Sequence, residues 1–140
     1  MATNSTRTES REQALRYLYE YDMQPDLTAS SIISAARSER GENPSPYATL
    51  LFKTAYDHLD ELDEIIRAHA RNWDFRRISK VTLAVLRLSI CEYAFLPEHP
   101  GTEVIVNEAL ELARKYGNED AIPFINGVLG AALNPPEASS

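Results

Sequence analysis

The sequence predicts an all-α protein: one bundle of helices packed around a central apolar helix at residues 78–95. Three observations carry that reading. Apolar residues recur at helical spacing in several successive segments. No period-2 alternation runs long enough to make a strand. Ser, Thr, Asn, Pro and Gly stand where helices should start and stop between those segments.

The central segment is ISKVTLAVLRLSICEYAF. Val81, Ala84, Val85, Leu88 and Cys91 recur at helical spacing, and Leu83, Leu86, Ile90 and Phe95 fill most of the remaining circumference. A helix that is apolar nearly all round is buried on most sides. Lys80, Arg87 and Glu92 interrupt it, and a charge near the middle of a bilayer costs about 2.5 kcal/mol or more, so it is no membrane span. Arg87 lies in its apolar middle and must be paired. Glu92 is five residues on and poorly placed for a same-helix pair, so a carboxylate on another helix is expected: Glu108 first, Glu111 second.

A chain of 140 residues suits one domain with a working core. The apolar content of 44% and charged content of 25% are ordinary for a globular protein. A formal charge of −7 disfavours indiscriminate binding to nucleic acid or acidic membranes. The charge is segregated, however. Residues 67–90 hold Arg67, Arg71, Arg76, Arg77, Lys80 and Arg87 against Asp74 alone. That block reads either as a solvated face with salt bridges or as a local anion-binding surface. The one cysteine, Cys91, falls inside the apolar helix and reads as a small buried hydrophobe, which favours a reducing compartment. The first ten residues lack an apolar stretch, so no secretory signal is expected.

In order, a polar tail over residues 1–9 leads into a domain spanning 10–133, with a second tail at 134–140. A first helix over residues 10–23 buries Ala14, Leu15 and Leu18 and stops before Pro25. Arg7 and Arg11 lie on the same line as Leu18, so the core stripe turns basic towards the N-terminus and its first turns are expected to stand clear of the core. A weaker helix over 28–38 ends near Gly41. Ser45 as cap with Pro46 behind it starts a third helix over 46–70, whose stripe is Leu51, Ala55, Leu59, Leu62 and Ile66. Asp57, Asp60, Glu61, Asp63 and Glu64 leave its other side acidic. A connector with Asn72, Trp73, Asp74 and Phe75 enters the central helix. Beyond Pro97 and Pro100, Thr102 is expected to cap a helix with Ile105, Ala109, Leu112, Ala113 and Tyr116 inward, ended by Gly117. Asn118 is the expected cap of a last helix over 119–133, near whose start Pro123 is tolerable.

Catalytic signatures are absent: no CxxC, HExxH, GxGxxG, Walker loop or GxSxG. His58 between Asp57 and Glu61 reads as solvated surface rather than a metal site, and His69 and His99 stand alone. Neither catalytic residues, metal ligands nor a cofactor are expected. By chemistry alone the chain is a helical interaction module.

Three stretches resemble the transcription antitermination factor NusB family. The first is Arg11-Glu12-Gln13-Ala14-Leu15 through Leu18-Tyr19. The second is Asn72-Trp73 through Arg77-Ile78 to Val85-Leu86-Arg87-Leu88 and Glu92. The third, the most specific, is Val106-Asn107-Glu108-Ala109-Leu110-Glu111-Leu112-Ala113, then Tyr116-Gly117, then Phe124-Ile125-Asn126-Gly127-Val128-Leu129. The resemblance implies about seven helices in two packed subdomains; Asn126 and Gly127 of its last block are expected as structural positions, beside Arg87 and Glu108 from the pairing argument above. It further implies a cytoplasmic RNA-binding protein without catalysis. Such a protein recognises the boxA element of ribosomal RNA leader transcripts with the ribosomal protein NusE, within the RNA polymerase antitermination complex.

Carried over residue by residue, the family's RNA surface becomes Arg7, Arg11, Tyr19, Tyr21, Asp120 and Phe124. Arginines would neutralise phosphates while aromatic rings stack on unpaired bases. The stretch Arg7-Thr8-Glu9-Ser10-Arg11 is less basic than the family's, and Glu20 separates the two tyrosines. Weak binding to boxA-like RNA alone and a gain with a NusE-like protein are therefore expected. The alternative is a NusB-fold protein–protein module whose RNA surface has degraded.

Overall fold

The computed structural model describes residues 6–70 and 72–133. They form seven α-helices: α1 (Arg7–Met23), α2 (Ala29–Ser38), α3 (Pro46–Asp57), α4 (Leu59–His69), α5 (Lys80–Phe95), α6 (Thr102–Lys115) and α7 (Ile122–Ala132). Short 3₁₀ turns at Phe75–Arg77 and Glu119–Ala121 precede α5 and α7. Helices α1–α3 pack on one another, α4–α7 pack on one another, and α5 joins the groups by touching α1 and α3. No described helix is long and apolar enough to cross a membrane.

Helix α5 is central, as its apolar circumference predicts. Every residue from Thr82 to Glu92 is buried. Around it close Leu18 of α1, Leu51 and Phe52 of α3, Leu62 and Ile66 of α4, Ile105 and Leu112 of α6, and Ile125 and Leu129 of α7. Burial holds the Cys91 thiol up at about 12, so it is an inert core group.

The local start signals act mostly as expected. Ser45 Oγ accepts the Ala48 amide, with Pro46 in the first turn. Ser79 Oγ accepts the Thr82 amide and starts α5. Gly117, at φ 76°, ends α6 in the left-handed region that favours glycine.

Several expectations are corrected. Helix α1 starts at Arg7, not residue 10, because Thr6 and Glu9 form a reciprocal capping box. Of the two expected tails, residues 1–5 and 134–140 lie outside the described residues. The expected single helix over 46–70 breaks at His58, which ends α3 and begins α4. There His58 Nδ1 bonds to the Thr54 carbonyl at 2.9 Å and the ring stacks on Phe95 at 4.1 Å, so His58 is half-buried rather than solvated. Asp60 and Glu61 then fall in the first turn of α4, where the helix dipole favours acids. Gly101, not Thr102, is the N-cap of α6. Asn118 stands at the N-cap of the 3₁₀ turn Glu119–Ala121 but makes no side-chain cap bond; its amide donates to Thr82 across the start of α5.

The partner expected for Arg87 is also wrong. Arg87 donates to both oxygens of Asp63 on α4, at 2.8 and 2.9 Å, and stands 3.6 Å from Asp22 on α1. Burial alone would lower its pKa, but the hydrogen bond and charge of Asp63, aided by Asp22, raise it. Glu108 is 3.4 Å from Arg11 instead, and Glu111 pairs with Arg114 on its own helix at 3.0 Å. The reason lies in packing: α6 meets α5 through Ile105, Ala109 and Leu112, while Arg87 points to the α1–α4 side.

Arg87→Ala should cost about 3 kcal/mol or more by stranding Asp63, lowering the melting temperature by roughly 6–12 °C. Glu111→Gln should stay within about 0.5 kcal/mol of the parent. Thermal denaturation of both variants checks the assignment.

Candidate nucleic-acid interface

The N-terminal turns of α1 separate Arg7 from Arg11 although both share one helical line. Arg7 is exposed, and its guanidinium lies 3.7 Å from the centre of the Tyr47 ring. It makes no ion pair among the described residues. Arg11 is 5% exposed and grips both oxygens of Glu92, at 2.8 and 2.7 Å. Tyr47 completes Glu92 with a 2.5 Å hydrogen bond from its hydroxyl. Burial alone would lower the Arg11 pKa, but the hydrogen bond and charge of Glu92, with Glu108 beside it, raise it. Arg11 is thus a core clamp, not the free cation expected. The inward stripe does not run out of core, because α3 and the end of α5 cover it there.

The two tyrosines late in α1 are also divided. Tyr19 is 38% exposed and lines a groove of about 360 Å³ with Leu15, Arg16, Val81, Ala84 and Tyr116. Tyr21, two residues on, points elsewhere. It is half-buried, packs edge-on against Tyr56 at 5.3 Å, and borders Asp57, Asp60 and Glu61. Tyr21 thus lies in a different hollow from Tyr19, one whose carboxylate rim repels phosphate. Glu20 between them faces Arg40 at 3.5 Å.

Asp120 and Phe124 do come together. The 3₁₀ turn Glu119–Ala121 exposes Asp120, and the first turn of α7 sets Phe124 against Trp73, with ring centres 4.7 Å apart. These three, with His69, Asn72, Pro123, Gly127 and Val128, line a concavity of about 470 Å³. The Tyr19 groove ends at Tyr116, and the segment from Tyr116 to Asp120 connects the two hollows past the Asn118–Thr82 contact. Asn126 and Gly127, expected as structural positions, are both exposed.

Most other cations are already matched. Lys115 holds Glu12 at 2.9 Å, Lys80 lies 3.3 Å from Asp22, and Arg76 binds Asp74 at 3.2 Å. Arg67 covers the Phe75 ring at 4.2 Å. The basic block is therefore in large part a set of local pairs, and Arg77 makes no ion pair among the described residues.

The NusB family profile matches residues 8–134 of the chain. The chain belongs to the NusB family. It is 37% identical over 138 residues to the transcription antitermination protein NusB of Myxococcus xanthus, covering 93% of this chain and 98% of that protein. It is 38% identical over 133 residues to the NusB of Bacillus subtilis, covering 95% and 98%. Its fold matches the crystal structure of antitermination factors NusB and NusE in complex with dsRNA, with TM-score 0.79 and 28% identity, covering 91% and 96%.

Of the six residues carried over from the NusB resemblance, the structure exposes Arg7, Tyr19 and Asp120, half-exposes Phe124, and turns Arg11 and Tyr21 away. Sequence reasoning missed Trp73 as the neighbour of Phe124 and Tyr47 as the neighbour of Arg7. Trp73 sits in the connector already flagged by its turn residues; Tyr47 carried no signal, since its link to Arg7 and Glu92 depends on packing.

Arg11→Ala should destabilise the protein by about 3 kcal/mol or more, because Glu92 is left buried with Tyr47 alone, whereas Arg7→Ala should cost under about 1 kcal/mol. Denaturant titration distinguishes them. Alkaline stability offers a second check. Burial and the Glu92 hydrogen bond raise Tyr47, and burial and Glu42 raise Tyr17 to about 12, from a model-compound value of 10.0. Groups that keep their protons longer when folded stabilise the fold below pH 10 and lose that contribution as pH rises further. Stability should fall above about pH 10, less steeply in Tyr47→Phe, as followed by circular dichroism.

Proposed function

We propose that this chain is a cytoplasmic transcription antitermination factor. It binds boxA-like single-stranded RNA jointly with a NusE-like ribosomal protein, at a transcribing RNA polymerase, and catalyses no reaction. The observation that carries the reading is the family match over residues 8–134, shared with curated NusB proteins along nearly their whole length. The likeness to a NusB–NusE complex holding dsRNA supports both partners.

The geometry fits a small contact surface rather than a broad electrostatic one. Arg7 is available for a phosphate, while the Tyr19 groove and the Phe124 hollow offer ring faces to unpaired bases. One arginine and a net charge of −7 are too little for tight binding alone. A basic partner at the same edge would supply further phosphate contacts. The second reading, a protein–protein module with a degraded RNA surface, draws on the inward turn of Arg11 and the acidic rim beside Tyr21.

Fluorescence anisotropy with a boxA-like strand, with and without NusE, decides between them. The first reading expects weak binding alone, a clear gain with NusE, and weaker binding to a duplex of the same sequence. Arg7→Ala should flatten the dependence of log affinity on log salt by about 0.7. NusE binding without RNA binding under any of these conditions would establish the second reading.

A further inference from the structure

We propose that Trp73 is a base-stacking residue, which with Phe124 forms a seat for one unpaired, amino-bearing nucleobase between the connector and α7. The inference rests on the RNA-binding reading above and extends it to a residue outside the six carried over from the family.

Trp73 is the only tryptophan of the chain, and 58% of it is exposed. A ring of this size that meets one other ring and is otherwise left in water marks a contact surface. Its position is held, not loose. The Trp73 amide donates to the Ala70 carbonyl at 3.0 Å, and Asp74 Oδ1 accepts the Arg76 amide at 3.0 Å. The Arg77 and Ile78 amides close the 3₁₀ turn behind it, and Phe75 anchors that turn on the core. A stacking platform fixed in advance loses little entropy on binding.

The surroundings select a base rather than a phosphate or an apolar side chain. Trp73 and Phe124 meet at 56°, forming two walls of the concavity. Its volume of about 470 Å³ lies within the roughly 300–1,000 Å³ of small-ligand pockets. Asp120 on the rim repels phosphate but accepts from an exocyclic amino group, and the Asn72 amide can both donate and accept. Flanking phosphates would find the exposed Arg77 four residues beyond Trp73, Arg76 being held by Asp74.

Gly127 keeps this part of the wall low. It lies inside α7 on the wall of the same concavity, with an ordinary helical backbone, and a Cβ there would meet no atom within 4 Å. Gly130 in the same helix is equally open, so the space at Gly127 adds room to this concavity and nothing more. A bare backbone facing the two rings leaves room for a planar group from outside.

Because Trp73 is the sole tryptophan, its emission reports on the seat directly. Titrating the full chain, with NusE lacking tryptophan, against a boxA-like strand should quench that emission with the midpoint that anisotropy gives. Trp73→Ala should weaken binding by about five- to a hundredfold, and Trp73→Phe by no more than about threefold. Replacing the bases one at a time by abasic nucleotides should identify one position whose loss penalises the parent but not Trp73→Ala. Circular dichroism of both variants should match the parent. Binding with unchanged emission, or parental affinity in Trp73→Ala, overturns the seat and leaves the RNA-binding reading intact. Quenching by NusE without RNA overturns it in favour of a protein-docking surface. Absence of RNA binding in every arm overturns both.

Discussion

Two charges buried in one helix constrain most of this structure. Arg87 and Glu92 lie within the run of α5 that is buried residue by residue, and neither can remain unpaired there without a cost of several kcal/mol. Five residues apart, they point about 140° away from each other around the helix, so different neighbours must answer them. Asp63 brings α4 to Arg87, while Arg11 and Tyr47 bring the starts of α1 and α3 to Glu92. Arg11 near the beginning of α1 meets the end of α5, and Asp22 near its end faces Lys80 and Arg87. The two contacts together set α1 antiparallel to α5. Such pairs are weak contributors to net stability compared with apolar packing; their effect is on which arrangement the apolar surfaces adopt.

The same constraint shapes the edge proposed to face RNA. Arg11 belongs to a motif that reads as phosphate-binding by its position, yet Glu92 claims it, with Glu108 as a second anion. What remains outside is Arg7, held over Tyr47 one turn earlier. Tyr47 therefore links the buried clamp to the surface: its hydroxyl completes Glu92 and its ring carries Arg7. Glu9, the acid that makes this N-terminus less basic, serves the capping box of α1.

Aromatic contact then bears more of the proposed recognition than charge does. Cations such as Lys115, Lys80 and Arg76 have carboxylates within 3.3 Å, and an exposed pair of this kind is worth about 1 kcal/mol or less. They soften the local potential without concentrating it. Tyr19 and the Trp73–Phe124 pair lie on either side of the Asn118–Thr82 contact, which ties the start of α5 to the turn before α7. Tyr19 is carried by α1, Phe124 by the first turn of α7, and Trp73 by the hydrogen-bonded connector before α5.

Much of this was legible from residue order, because it depends on neighbours along the chain. Helical periodicity marked the apolar stripes, Ser45-Pro46 and Gly117 marked ends, and the all-round apolarity of residues 78–95 marked the helix that others must cover. The Thr6–Glu9 capping box and the acids after His58 were local signals of the same kind that went unread. Residue order also required that Arg87 be paired. It did not decide that Asp63 rather than Glu108 pairs with it, that Arg11 points inward, or that Tyr19 and Tyr21 part company. Those outcomes depend on how whole helices cross, and with 21 acids available a buried arginine has many partners compatible with its chemistry and few compatible with the packing. Likewise Trp73 and Phe124 are far apart in the chain, and only the docking of α7 beside the connector makes them one surface.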